Sequence, residues 1–278
     1  MPVVPSSVMR RRAAAVLTLS AVALTASSCA YGELTSPAGE FEFMALQGLW
    51  LEGCLALIAL VGAFLLPGSA YTRLGLGPGR LDATRVAVLV IGTLAASSSL
   101  DGLLELTQWK NESTLGEFEE MLAGIRGRSL LLGIATFALM PGIAEELLCR
   151  GLIQRSLVAR HGAVAGIAIA SLFFGALHLD PAHALFAAPL GLYLGLVCWL
   201  TGGIRASIVC HFVNNLAALL AGALFPASDA SALPAIVLGG TIATAAMIWV
   251  WHGAGPPPPV AAPADGGEGN DPLTENPH

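Results

Sequence analysis

Long apolar runs separated by short polar segments dominate the chain. One run covers about residues 13–26, and longer runs follow at about 45–66, 86–100, 129–160, 163–179, 184–200, 206–225 and 233–251. An α-helix needs roughly 20 apolar residues to cross the hydrocarbon core of a bilayer. The pattern therefore predicts an all-α, polytopic membrane protein with about eight transmembrane helices around a polar intramembrane cavity.

Changes in composition divide the chain into five segments. Residues 1–44 hold the first apolar run, preceded by three arginines, and an acidic loop predicted to be external. This run is either a signal peptide, cleaved or lipidated near Cys29, or a retained first transmembrane helix. Residues 45–128 are predicted to be accessory helices with an amphipathic segment, 129–225 the core of the protein, 226–252 a last helix, and 253–278 a disordered tail.

Composition and charge support a membrane environment and exclude other classes. Hydrophobic residues make up 55% of the chain, charged residues only 12%, and the mean hydropathy is +0.73. A soluble domain carries roughly 25% charged residues. The net charge is −6 and no basic stripe is present, which argues against nucleic-acid binding. If the first run leads outward from the cytoplasm, only Lys110, Arg126 and Arg128 of the basic residues fall outside, as the positive-inside rule favours.

Two adjacent acids interrupt the apolar core. Glu145 and Glu146 follow an uncharged stretch, and Arg150 comes four residues after Glu146. An ionised side chain at membrane depth costs roughly 2.5–3.5 kcal/mol on insertion scales, so these acids need partners or a purpose. Residues four apart share a helix face, so Glu146 and Arg150 are predicted to pair. Glu145 is rotated by about 100° and is free to face a cavity.

Two further segments carry polar groups at helical spacing. Phe174 precedes His178 by four residues, and His211 precedes Asn215 by four; both histidines and Asn215 are predicted to be buried. Each feature alone has a structural explanation, such as a helix-end clamp or an interhelical hydrogen bond. Occurring together, they predict one site formed by three helices. Glu145 and His178 can meet there if the fourth predicted span is one long helix, about 45 Å from Leu130 to Arg160.

The residue types at this predicted site favour hydrolysis by an activated water. A carboxylate in a low-dielectric cavity can act as a general base, and imidazole and amide groups can donate to a developing oxyanion. No Ser-His-Asp grouping, GxSxG or HExxH motif is apparent. Glu145, His178 and His211 could also bind zinc, although Arg150 would oppose a dication. The reaction therefore requires either no cofactor or a divalent metal such as zinc.

The three motifs resemble those of the CPBP intramembrane proteases, the group that contains the type 2 CAAX prenyl proteases. The resemblance is carried by Glu145-Glu146-x-x-x-Arg150, Phe174-x-x-x-His178 and His211-x-x-x-Asn215, and it covers about residues 129–225. It implies that Glu145 activates water with help from His178, and that His211 and Asn215 form the oxyanion pocket. It assigns Glu146, Arg150 and Phe174 supporting roles. Metal dependence is left open.

These features predict an intramembrane endopeptidase. Its expected substrate is a membrane protein or lipidated peptide, and its expected location is the inner (plasma) membrane of a bacterium. Two other functions fit the same features: a non-catalytic membrane scaffold or immunity protein that binds through the cavity, and a proton-coupled transporter. The absence of an internal repeat in the sequence argues against many transporter folds.

Overall fold

A computed structural model describes residues 40–65, 68–107, 109, 113–225 and 232–255. The apolar run at 13–26, Cys29 and the chain beyond residue 255 lie outside the described residues. All regular elements in the described ranges are helical. They are α1 (Glu40–Leu65), α2 (Ala70–Arg73), α3 (Ala83–Thr107), α4 (Thr114–Leu122), α5 (Gly127–His161), α6 (Ala163–Ala176), α7 (Pro181–Thr201), α8 (Arg205–Leu224) and α9 (Ala232–Ala254).

Six of the described helices are long and apolar enough to cross a membrane: α1, α3, α5, α7, α8 and α9. Large apolar side chains such as Trp50, Phe64 and Leu172 are exposed on the outside of the bundle, as expected where lipid replaces water. The chain is therefore an all-α, multi-pass membrane protein, which confirms the predicted fold class.

Helix α6 differs from its predicted span. The prediction placed a full span over 163–179, but the helix has 14 residues and ends at Ala176. Leu179 then adopts a left-handed conformation with φ 57°, and Asp180 begins the next helix. A β-carbon makes that conformation unfavourable for leucine, so tertiary contacts rather than local preference determine this turn. The apolar composition of the segment did not reveal it.

Helix α5 is a single 35-residue helix, in agreement with the long helix predicted from Leu130 to Arg160. Its length is about 50 Å at 1.5 Å per residue. Two stretches, Ile134–Leu139 and Glu146–Gln154, form wider π-type turns. Pro141 lies just after the first stretch and lacks the N–H that a regular turn would use, which accounts for the local change in pitch. The second stretch carries Glu146 and Arg150.

Close helix contacts hold α5 at the centre of the bundle. Leu55, Ile58 and Ala59 of α1 form one core cluster with Ala144 and Leu148 of α5. A β-carbon added at Gly142 of α5 would lie 3.1 Å from the backbone of Phe212 in α8. Small residues of this kind let helix backbones approach closely in membranes.

Arginines join the loops at one end of the bundle. Arg155 donates to the carbonyl of Arg73 at 3.0 Å, Arg205 to that of Leu76 at 2.7 Å, and Arg80 to that of Leu200 at 2.6 Å. The positive-inside rule predicts that these three arginines lie on the cytoplasmic side of the membrane. Arg126, assigned to the other side, instead contacts the carbonyl of Ala223 near the end of α8. Arg155, Arg205 and Arg80 thus lie at one end of the bundle and Arg126 at the other.

Candidate functional site

A buried ion pair fixes one of the two adjacent acids. The Arg150 Nη1 atom lies 2.7 Å from Oε1 of Glu146, and neither side chain is more than 1% exposed. Arg150 also donates to the Gly191 carbonyl at 3.1 Å, and its guanidinium carbon lies 4.2 Å from the centre of the Phe174 ring. Because a β-carbon at Gly191 would come within 2.9 Å of Phe174 and 3.4 Å of Arg150, glycine there makes room for both side chains.

One imidazole connects the two glutamates. His211 Nδ1 lies 3.0 Å from Glu146 Oε1, and His211 Nε2 lies 3.8 Å from Glu145 Oε2. Because the carboxylate of Glu146 only accepts hydrogen bonds, Nδ1 carries the proton and donates it to Glu146. That bond fixes the ring orientation and leaves Nε2 directed toward Glu145. The close approach of α8 to Gly142 places His211, the residue before Phe212, at this position.

Phe174 packs between the two predicted histidines. Its ring meets His178 edge-on with centroids 5.3 Å apart and meets His211 edge-on at 5.7 Å. The Phe174 side chain is 2% exposed. Phe174 thus has a specific structural role, because it contacts Arg150 and both histidines and sets the spacing between them.

His178 lies on the more open side of Phe174. Its Nδ1 is 3.0 Å from the Phe174 carbonyl, and its ring packs against His183 with centroids 4.0 Å apart. The side chain is half-buried, and its contacts are with these two residues rather than with Glu145. Because a carbonyl accepts, Nδ1–H donates to it and Nε2 remains available as an acceptor. His183 was not predicted as part of this group.

The two adjacent asparagines differ from the expectation. The prediction placed Asn215 in the buried position, but Asn214 is 5% exposed and Asn215 is only half-buried. The Asn214 amide nitrogen donates to Oδ1 of Asn215 at 3.3 Å. This bond orients the Asn215 amide and leaves its NH₂ group as a donor. In an apolar helix, the hydropathy pattern does not reveal which of two neighbouring amides faces inward.

The candidate metal ligands do not converge. Glu145 contacts His211, whereas His178 contacts Phe174 and His183. No group of three or more His, Cys, Asp or Glu residues in the described ranges is arranged to hold a metal ion. Glu145, His178 and His211 therefore do not fit a zinc site in this arrangement.

Glu52 of α1 is a third buried acid next to Glu145. It is 6% exposed, and its carboxyl group is close enough to that of Glu145 to interact with it. It was not among the predicted site residues. The sequence did contain a signal for it, because Glu52 is an ionisable residue in the middle of an apolar span. Such residues within membrane spans are by default candidates for a functional role.

One family model matches the part of the chain that contains the candidate site. Residues 127–217 match a family model described as type II CAAX prenyl endopeptidase Rce1-like. The matched range contains every residue predicted for the site, and the match confirms the resemblance indicated by the three motifs. It supports a membrane endopeptidase in general terms. No curated protein and no solved structure matches the chain.

Proposed function

We propose that the protein is an intramembrane endopeptidase that hydrolyses a peptide bond with a water molecule activated by Glu145. The observation that carries this proposal is the contact of one imidazole with two adjacent acids, only one of which is neutralised by an arginine. Glu146 is paired with Arg150 and serves to orient His211. Glu145 has no such cation and is the acid left for chemistry.

The proposed reaction uses groups on one side of His211. Glu145 takes a proton from water as the water oxygen bonds to the carbonyl carbon of the peptide. His211 Nε2, 3.8 Å away, receives that proton and delivers it to the nitrogen of the leaving amine as the C–N bond breaks. The Asn215 NH₂ group donates to the oxyanion, and His178 Nε2 accepts a hydrogen bond from the attacking water. The products are a carboxylic acid and an amine, and the enzyme returns to its starting protonation state.

The expected substrates follow from the location of the site. Glu145, His178 and Asn215 retain some exposed surface, whereas Glu146 and Arg150 are enclosed. A substrate must therefore approach from the side of the first three residues, through an apolar bundle. This favours membrane-embedded or lipidated peptides over soluble ones, in the inner membrane of a bacterium.

A cleavage assay in phospholipid vesicles tests the proposal. The probe is a synthetic library of farnesylated and unmodified membrane-anchored peptides, and products are identified by mass spectrometry. We expect the purified wild-type protein to cleave at least one peptide, and Glu145→Gln to lower its rate by at least about 10²-fold, as loss of a general base does. Glu120→Gln, which removes an exposed acid from α4, is the matched control and should cleave normally. Equal product profiles for wild type and Glu145→Gln would refute the proposal.

A further inference from the structure

Helix α1 lies outside the range that matches the protease family, yet it places an acid against the site. Residues 127–217 match the family, and α1 covers Glu40–Leu65. Most of α1 is apolar, and side chains such as Trp50 and Leu57 are exposed on its outer face. Glu52 is 6% exposed on the inner face. A carboxyl group in this position is costly unless a neighbour satisfies it.

The packing of α1 brings Glu52 directly to Glu145. Leu55, one turn after Glu52, shares a core cluster with Ala144 and Leu148, which flank the glutamates of α5. The Glu52 and Glu145 carboxyl groups are close enough to interact with each other. Oε2 of Glu52 and Oε2 of Glu145 are both buried, and neither has a hydrogen-bond partner among the described residues.

The Arg150 guanidinium and the His211 imidazole at this site are directed to the two glutamates of α5 and do not neutralise Glu52. The Arg150 guanidinium is engaged by Glu146 at 2.7 Å, and His211 directs Nδ1 to Glu146 and Nε2 to Glu145. Glu145 therefore faces Glu52 on one side and His211 on the other. Without Glu52, its carboxyl group would have no hydrogen-bonding neighbour on the α1 side and could rotate.

We propose that Glu52 is a positioning residue of the active site, which hydrogen-bonds to Glu145 and holds the Glu145 carboxyl group toward His211. This inference rests on the proposed endopeptidase function. It makes α1 part of the active site, although α1 lies outside the matched core. Glu52 does not itself touch the reacting peptide.

The kinetic test compares an apolar and a polar replacement of similar shape, using the peptide identified in the vesicle assay. Glu52→Met removes the hydrogen bond, and we expect it to lower kcat on the order of 10²-fold with KM within about twofold, because misplacement of a catalytic group acts on the chemical step. Glu52→Gln keeps a donor for Glu145 and should restore kcat to within about tenfold of wild type. Glu42→Met removes an exposed acid from the same helix and should cleave normally. A wild-type kcat in Glu52→Met, or equal losses in the Met and Gln variants, would overturn the proposal.

A second measurement does not depend on activity or on the folding of the Met variant. A hydrogen bond between two carboxyl groups requires one proton, so infrared spectra of the wild-type protein in vesicles should contain a carboxylic-acid C=O band. We expect that band to be lost in whichever variant, Glu52→Gln or Glu145→Gln, removes the protonated carboxyl group, and to shift in the other, where an amide replaces the carboxylate partner of the remaining acid. A band unchanged in either variant would overturn the pairing. If no peptide is cleaved but the band behaves as expected, the endopeptidase function fails while the contact stands.

Discussion

The buried pair of Arg150 and Glu146 provides the strongest stability prediction. Arg150→Met leaves an uncompensated buried carboxylate, and breaking such a pair costs about 3–5 kcal/mol. It also removes the hydrogen bond to Gly191 and the contact with Phe174, each worth roughly 1.5–3 kcal/mol at most in a desolvated site. These contributions are not additive, and His211 can partly compensate as the neighbour of Glu146. We therefore expect a loss of at least about 3 kcal/mol in the free energy of unfolding.

Reversible unfolding in detergent measures this loss in a double-mutant cycle. The cycle compares wild type, Arg150→Met, Glu146→Gln and the double variant. Because the double variant buries no unpaired charge, it should be more stable than Arg150→Met alone. Arg160→Met, which removes an exposed arginine from the same helix, should change stability by less than about 0.5 kcal/mol. A loss below about 1 kcal/mol for Arg150→Met would refute the reasoning, because an exposed pair behaves in that way.

Two further predictions concern the approach of α8 to α5 and the start of α7. Gly142→Ala should destabilise the protein by about 1–3 kcal/mol and lower the cleavage rate, because the added methyl group would lie 3.1 Å from the Phe212 backbone. An unchanged melting temperature together with an unchanged cleavage rate would contradict this prediction. Asp180 accepts hydrogen bonds from the backbone N–H groups of His183 and Thr114. Partial burial acts to raise the pKa of Asp180, but these hydrogen bonds outweigh that effect and lower the pKa below its usual value. Asp180→Ala should therefore cost about 1 kcal/mol at neutral pH. The part of this stabilisation that depends on the charge of Asp180 is fully present above about pH 4 and is lost as the pH falls through the lowered pKa. If wild type and Asp180→Ala differed in unfolding free energy by the same amount at every pH, the hydrogen bonds assigned to the Asp180 carboxylate would be refuted.

The helices and the ion pair between Glu146 and Arg150 could be predicted because both depend on local spacing along the chain. An apolar run of spanning length has few alternatives to a helix in a bilayer, since every backbone group must be satisfied internally. Glu146 and Arg150 pair as the four-residue interval predicts, even though the helix widens there to π-type turns. The length of α5 also followed from the sequence, because a shorter fourth span would have placed Glu145 and His178 at different membrane depths.

The rotation of each helix could not be predicted in the same way. In lipid the outward face of a helix is as apolar as the inward face, so hydropathy does not indicate which residue of a neighbouring pair is buried. Asn214 rather than Asn215 is buried for this reason, and Glu52 faces the site from a helix whose remaining pattern is featureless. Rotation is determined by tertiary contacts, such as the close approach at Gly142, that no local pattern encodes.

The two adjacent glutamates have different roles because a single imidazole contacts both. The nitrogens of one ring point in different directions, so a ring whose Nδ1 donates to Glu146 must present Nε2 elsewhere, here to Glu145 at 3.8 Å. Exchanging the roles would require Arg150 to reach Glu145, which lies five residues away along the helix instead of four. The sequence order Glu-Glu-x-x-x-Arg therefore favours Glu146 as the neutralised acid, in agreement with the role proposed for Glu145. An Arg150→Lys variant tests this: lysine keeps the charge but cannot also cover the Phe174 ring and reach Gly191, so we expect cleavage to fall even where folding is retained.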